Sequence, residues 1–138
     1  YTHIGDSMVI LSAFILGKKE GALAAGLGAA LCDLLSGYMQ YIIPTFFIKA
    51  IMVIIICTIA HNLINKNKFA WIIGCILGCA FQVLGYALFE TILYGFPAAI
   101  ASIPSNIIQS IVGIVIALVL ATALEIKKSI NISLLAHI

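Results

Sequence analysis

The stretch PTFFIKAIMVIIICTIAHNLI, residues 44–64, decides the class of fold. It holds 21 residues and a single full charge, Lys49. At about 1.5 Å per residue such a helix is roughly 30 Å long, the thickness of the hydrocarbon core of a bilayer. Pro44 suits its first turn, where a missing N–H costs nothing. This segment is a membrane span.

The same reading extends outward in both directions. Breakers and charges divide the rest into four further apolar segments: 5–17, 20–36, 69–94 and 104–126. Asp6 and the run Gly17-Lys18-Lys19-Glu20 bound the first, and Gly and Ala fill the second. The last is expected to open at Pro104, and a polar tail over 127–138 to follow it. The expected fold is all-α, a polytopic membrane helix bundle forming one domain over 1–138, with five helices in this chain. A helix preceding Tyr1 is expected to make six.

Composition agrees with this. Of 138 residues, 64% are hydrophobic and only 9% charged, against about a quarter charged in an ordinary soluble domain. The mean hydropathy of +1.23 leaves more apolar surface than so short a soluble chain can bury. A free cytosolic enzyme and a disordered chain are excluded, and a net charge of +2 provides no field for nucleic acid.

Lysine placement orients the bundle. Lys18 and Lys19 lie between the first two segments, Lys66 and Lys68 between the third and fourth, and Lys127 and Lys128 after the fifth. The connections 36–43 and 95–103 carry no Lys or Arg. Under the positive-inside rule the lysine connections and the C-terminus are cytoplasmic, and Asp6 faces the other side. The implied location is a cell membrane, crossed several times.

Apart from Glu20 and Glu125, which adjoin the lysine clusters, four charges remain: Asp6, Asp33, Lys49 and Glu90. Each costs about 2.5–3.5 kcal/mol at a helix centre, so each needs a reason. Asp33 precedes Gly37 by four residues, Lys49 follows Pro44 by five, and Glu90 precedes Tyr94 by four. All three therefore lie roughly 6–8 Å inside the outer ends of their helices. Asp33 and Lys49, on antiparallel neighbours, are expected to form an ion pair. Gln82, Tyr86 and Glu90 make a polar stripe at i, i+4, i+8, and Asn106 with Gln109 adds a second at the same level. Matched polar stripes on several helices read either as the lining of an outward-facing cavity or as a packing network. The aromatic residues Tyr38, Tyr41, Phe46 and Tyr86 are placed to anchor at the interface or to stack on a flat ligand ring. His3 and Asp6, three apart, are candidates for a lid.

Small residues recur at four-residue spacing: Ala22, Gly26 and Ala30; Gly74 and Gly78; Ala117 and Ala121. Such rows let membrane helices approach closely, either within the bundle or against another subunit. Cys32, Cys57, Cys75 and Cys79 all lie in apolar runs; Cys75 and Cys79 share a helical face with no histidine nearby to complete a metal set, and the four read as small buried thiols. No metal site, catalytic motif or nucleotide-binding loop is present in the sequence, so no cofactor is expected in this chain. Energy for uphill transport would come from an ion gradient or from another subunit.

Several motifs taken together are familiar: YTHIGD over 1–6, LGKKEGA over 16–22, AALCDLLSGY over 29–38 and IPTFFIK over 43–49. This pattern resembles the S components of energy-coupling-factor (ECF) vitamin transporters, and within them the riboflavin-type and hydroxymethylpyrimidine-type group. The resemblance implies a six-helix substrate-binding subunit that captures a vitamin or vitamin precursor at the outer face. It implies partners as well: a scaffold transmembrane subunit and two cytoplasmic ABC ATPases, which would hold the ATP and magnesium. In that family a small-residue motif on the first helix helps dock the scaffold, and the ligand sits among the loops before helix two and after helix three and the last three helices. Hydroxymethylpyrimidine and pyridoxine suit one carboxylate, one lysine and two amides. Two other readings stand beside this one: a proton-coupled secondary transporter using Glu90, and a non-transporting membrane assembly subunit.

Overall fold

A computed structural model describes residues 5–63 and 70–136. Among them the elements are α1 (Gly5–Leu35), a single 3-10 turn (Met39–Tyr41), α2 (Ile42–Leu63), α3 (Ala70–Tyr94) and α4 (Phe96–Ala136). The described residues are all-helical. Among them three stretches are long and apolar enough to cross a membrane: Met39–Asn62, Ala70–Tyr94 and Phe96–Leu120.

α1 is two arms rather than one rod. Gly17 has φ 83° and ψ −164°, outside the helical region and open to glycine at no steric cost. In a continuous helix Ser12 and Gly21 would stand about 13.5 Å apart. Instead the Ser12 hydroxyl donates to the Gly21 carbonyl at 3.2 Å, so the chain doubles back at Gly17. The segments expected over 5–17 and 20–36 are these two arms.

Two expected boundaries need correction. α4 opens at Phe96, not at Pro104, so the connection after α3 shrinks to Gly95 alone. Gly95 takes φ 97°, its N–H donates to the Thr91 carbonyl closing α3, and its own carbonyl accepts from Ala99. Pro97 falls in the first turn, where its missing donor is harmless, while Pro104 lies inside the helix. The other correction concerns the end of that helix: α4 runs on through residues 127–136 rather than stopping at 126.

Each helix packs on two others, closing a ring in the order α1, α2, α3, α4 and back to α1. Met52, Val53 and Ile56 of α2 are fully buried at its centre, against Val9, Ile10 and Leu11 of the first arm and Cys75 and Cys79 of α3. The outward faces remain apolar, with Leu23, Leu27 and Leu31 exposed along one stripe of α1, as a lipid-facing surface requires.

Glycines of the small-residue rows lie at close helix–helix approaches inside this ring. A Cβ on Gly74 would stand 2.9 Å from the Ile56 carbonyl oxygen, and one on Gly78 would meet Ile56 and Met52. Gly26 lies against Phe46 in the same way; Ala22 and Ala117 are buried, and Ala30 is half-buried. The side chain of Ala121 lies outside the described residues. Gly74→Leu is therefore expected to force α3 off α2 and lower the thermal midpoint in detergent, at a cost of at least the roughly 1–3 kcal/mol of core overpacking. Gly28→Leu is the matched control, since Gly28 is exposed and a Cβ there meets nothing within 4 Å. Equal midpoints for the two variants would refute the close approach.

Candidate substrate site

The ring is tight at the level of Met52 and opens toward the end that carries the 3-10 turn and Gly95. There it encloses a cavity of about 480 Å³. Small-molecule sites fall in this range.

Every helix contributes to its wall by a periodic face. α1 presents Ala29 and Asp33, four apart. The turn and α2 present Tyr41, Thr45 and Lys49 at i, i+4, i+8, with Tyr38 just before them. α3 gives Tyr86 and Glu90. α4 gives Ala98, Ala101, Ser102, Ser105, Asn106 and Gln109, a single stripe of three- and four-residue steps.

Below this wall lies a closed polar network. Lys49 Nζ donates to Asp6 Oδ1 at 2.5 Å and to the Gln82 side-chain oxygen. Gln82 Nε2 donates in turn to Asp6 Oδ2 at 2.6 Å and to the Ser110 hydroxyl at 3.0 Å. Asp6 and Gln82 are 0% exposed and Lys49 2%, so the network joins three helices and the first arm of α1 out of reach of solvent. A buried charge pair stands only when its remaining hydrogen-bonding capacity is met, and Gln82 meets it here.

The upper wall holds a second carboxylate. The Tyr41 hydroxyl donates to Glu90 Oε1 at 3.1 Å, and the Ser102 hydroxyl donates to Oε2. Thr45 and Tyr86 share a hydroxyl–hydroxyl bond of 2.9 Å. Gln40 Nε2 donates to the Tyr94 hydroxyl at 2.9 Å, tying the turn to the end of α3. Tyr41 packs edge-on against Tyr38 and Phe89, with ring centroids 6.2 and 5.6 Å away. These contacts fix the aromatic side of the cavity.

Of the residues chosen from sequence, Asp33, Tyr38, Tyr41, Lys49, Tyr86, Glu90, Asn106 and Gln109 meet at this cavity. Asp6 and Gln82 belong to the network beneath it instead, and His3 lies outside the described residues. Phe46 is corrected: one position beyond Thr45, it is turned by about 100° and packs on Gly26. The expected Asp33–Lys49 pair is also corrected, because Asp6 takes the lysine. Asp33 is 6% exposed and makes no ion pair among the described residues. Cys32 is exposed on the surface of α1 and Cys57 half-buried, while Cys75 and Cys79 are buried as expected.

Thr45, Ser102 and Ser105 were not singled out from the sequence. Thr45 completes the four-residue step between Tyr41 and Lys49. The two serines fall in the stripe of α4 that a boundary at Pro104 cuts away or truncates.

The family model for the ECF-type riboflavin transporter S component matches residues 1–126. The chain belongs to that family. It is thus a transporter protein, and with its three apolar spans a multi-pass membrane protein. Among relatives of this S component, the thiamine precursor transporter HmpT of Lactococcus lactis subsp. cremoris is 32% identical over 126 residues, covering 91% of this chain and 70% of that protein. A protein of Pyrococcus woesei, described as an uncharacterized protein in gap 3' region, is 33% identical over 116 residues, 84% of this chain and 76% of its own. No solved structure matches.

Proposed function

We propose that the protein is the substrate-binding S component of an ECF-type importer and captures a small heteroaromatic vitamin or vitamin precursor in the cavity above Lys49. One observation carries this reading: a polar, aromatic-walled cavity to which all four helices contribute, at the lysine-poor end of the bundle. That end faces outward under the positive-inside rule. The tyrosines supply faces for a ring, and Glu90, Asn106 and Gln109 supply directional hydrogen bonds. Asn106 Nδ2 is buried without a hydrogen-bond partner among the described residues, a donor that an acceptor on the ligand would satisfy.

The relative described as a thiamine precursor transporter supports hydroxymethylpyrimidine as the first cargo to try, with pyridoxine second. Partners are a scaffold membrane subunit and two cytoplasmic ATPases, with ATP and magnesium held by the latter. The proton-coupled alternative finds less support, since Glu90 is already fastened on both oxygens by Tyr41 and Ser102.

Calorimetry on the purified chain tests the reading. One vitamin of a panel is expected to bind without any ATPase. Asn106→Ala and Glu90→Gln are expected to weaken it about tenfold or more at unchanged thermal midpoint. A folded sample that binds none of the panel, or two variants with wild-type affinity, refutes it.

A further inference from the structure

The charges of the cavity do not balance. Its charged lining residues are Asp33, Lys49 and Glu90. Lys49 is paired below with Asp6 and hydrogen-bonded to Gln82, and the Asp6–Lys49 pair is formally neutral. That leaves two acids on the wall with no cation beside them among the described residues. Asp33 lacks any side-chain hydrogen-bond partner there as well, although it is almost wholly buried. Glu90 has two hydroxyl donors but no positive charge. The remaining polar wall consists of hydroxyls and amides.

Resting on the S-component reading, we propose that this cavity selects its ligand by charge. It takes an uncharged or cationic ring that carries N–H or O–H donors, and it rejects the phosphorylated or carboxylated form of the same ring. Asp33 is the specificity-determining residue.

The argument is one of complementarity. Two carboxylates on one cavity wall raise the cost of any anion placed between them, because the surrounding protein screens repulsion less than bulk water does. The carboxylates need donors, whereas the orphan Asn106 amide needs an acceptor. A ring with an exocyclic amino or hydroxyl group beside a ring nitrogen offers both. A phosphate offers acceptors and negative charge, which suit Asn106 alone.

Matched pairs decide the matter: hydroxymethylpyrimidine, pyridoxine and riboflavin, each against its own monophosphate, titrated by calorimetry into the full-length chain in detergent. Whichever parent binds, its monophosphate is expected to bind about 100-fold more weakly or worse, the scale of juxtaposed like charges. Asp33→Asn keeps the shape of the side chain and is expected to narrow that gap about tenfold. A monophosphate within threefold of its parent overturns charge selection while leaving the S-component reading intact. So does a gap unaltered by Asp33→Asn, for the role of Asp33. Silence toward all six compounds from a folded sample removes the reading and this inference together.

Discussion

Asp6→Ala is expected to be among the most destabilising single changes in this protein. The substitution strands the Lys49 ammonium at a site where the lysine is 2% exposed and its ion-pair partner is Asp6 at 2.5 Å. Removing one member of a buried pair costs about 3–5 kcal/mol, because the other charge remains without compensation. The measurement is the thermal midpoint of the detergent-solubilised protein. The double variant Asp6→Ala with Lys49→Met, which replaces both charges by apolar groups, is expected to recover most of the loss. If Asp6→Ala alone leaves the midpoint in place, Lys49 is not held as described.

Gly113→Val is expected to reach the same network from the opposite side. A Cβ on Gly113 would stand 2.6 Å from the Asp6 Cβ and 3.2 Å from the Ser7 backbone nitrogen. Neither neighbour is the loose end of a flexible side chain, so α4 must move away from the first arm. Overpacking alone costs about 1–3 kcal/mol, and the displaced arm also draws Asp6 from Lys49. Loss of both the folded midpoint and ligand binding is the expected outcome. A variant that folds and binds as the wild type would show that the α1–α4 approach is not needed for the site.

Much of this site is written in the sequence, because charge in an apolar helix is costly enough to demand a partner. Lys49, Asp33 and Glu90 stand out for that reason, and depth arithmetic alone brings them to one level. The identity of the partner is a different matter. Asp33 and Asp6 both lie within reach of Lys49 on a linear reading, and the choice depends on how α1 folds back at Gly17. Serine is harder still. Ser102 holds one oxygen of Glu90, yet a small hydroxyl residue before a proline reads as loop, so the stripe from Ala98 to Gln109 loses its first two turns. The small-residue rows are visible as motifs, but their partners depend on which helices are neighbours. That is a property of the ring rather than of any one segment.

The reversal at Gly17 acts as a ruler. From that residue to Asp6 the first arm counts eleven steps, about 16 Å of helix and little more than half of a bilayer's hydrocarbon core. Its acidic end therefore halts at the height of Lys49, and the floor of the cavity is laid there. One residue added or removed between positions 8 and 16 would turn Asp6 by about 100° and shift it by about 1.5 Å, taking the carboxylate off the lysine. The depth to which a ligand can sink is thus set by how many residues the arm contains, with the apolar side chains along it free to vary so long as the count is kept.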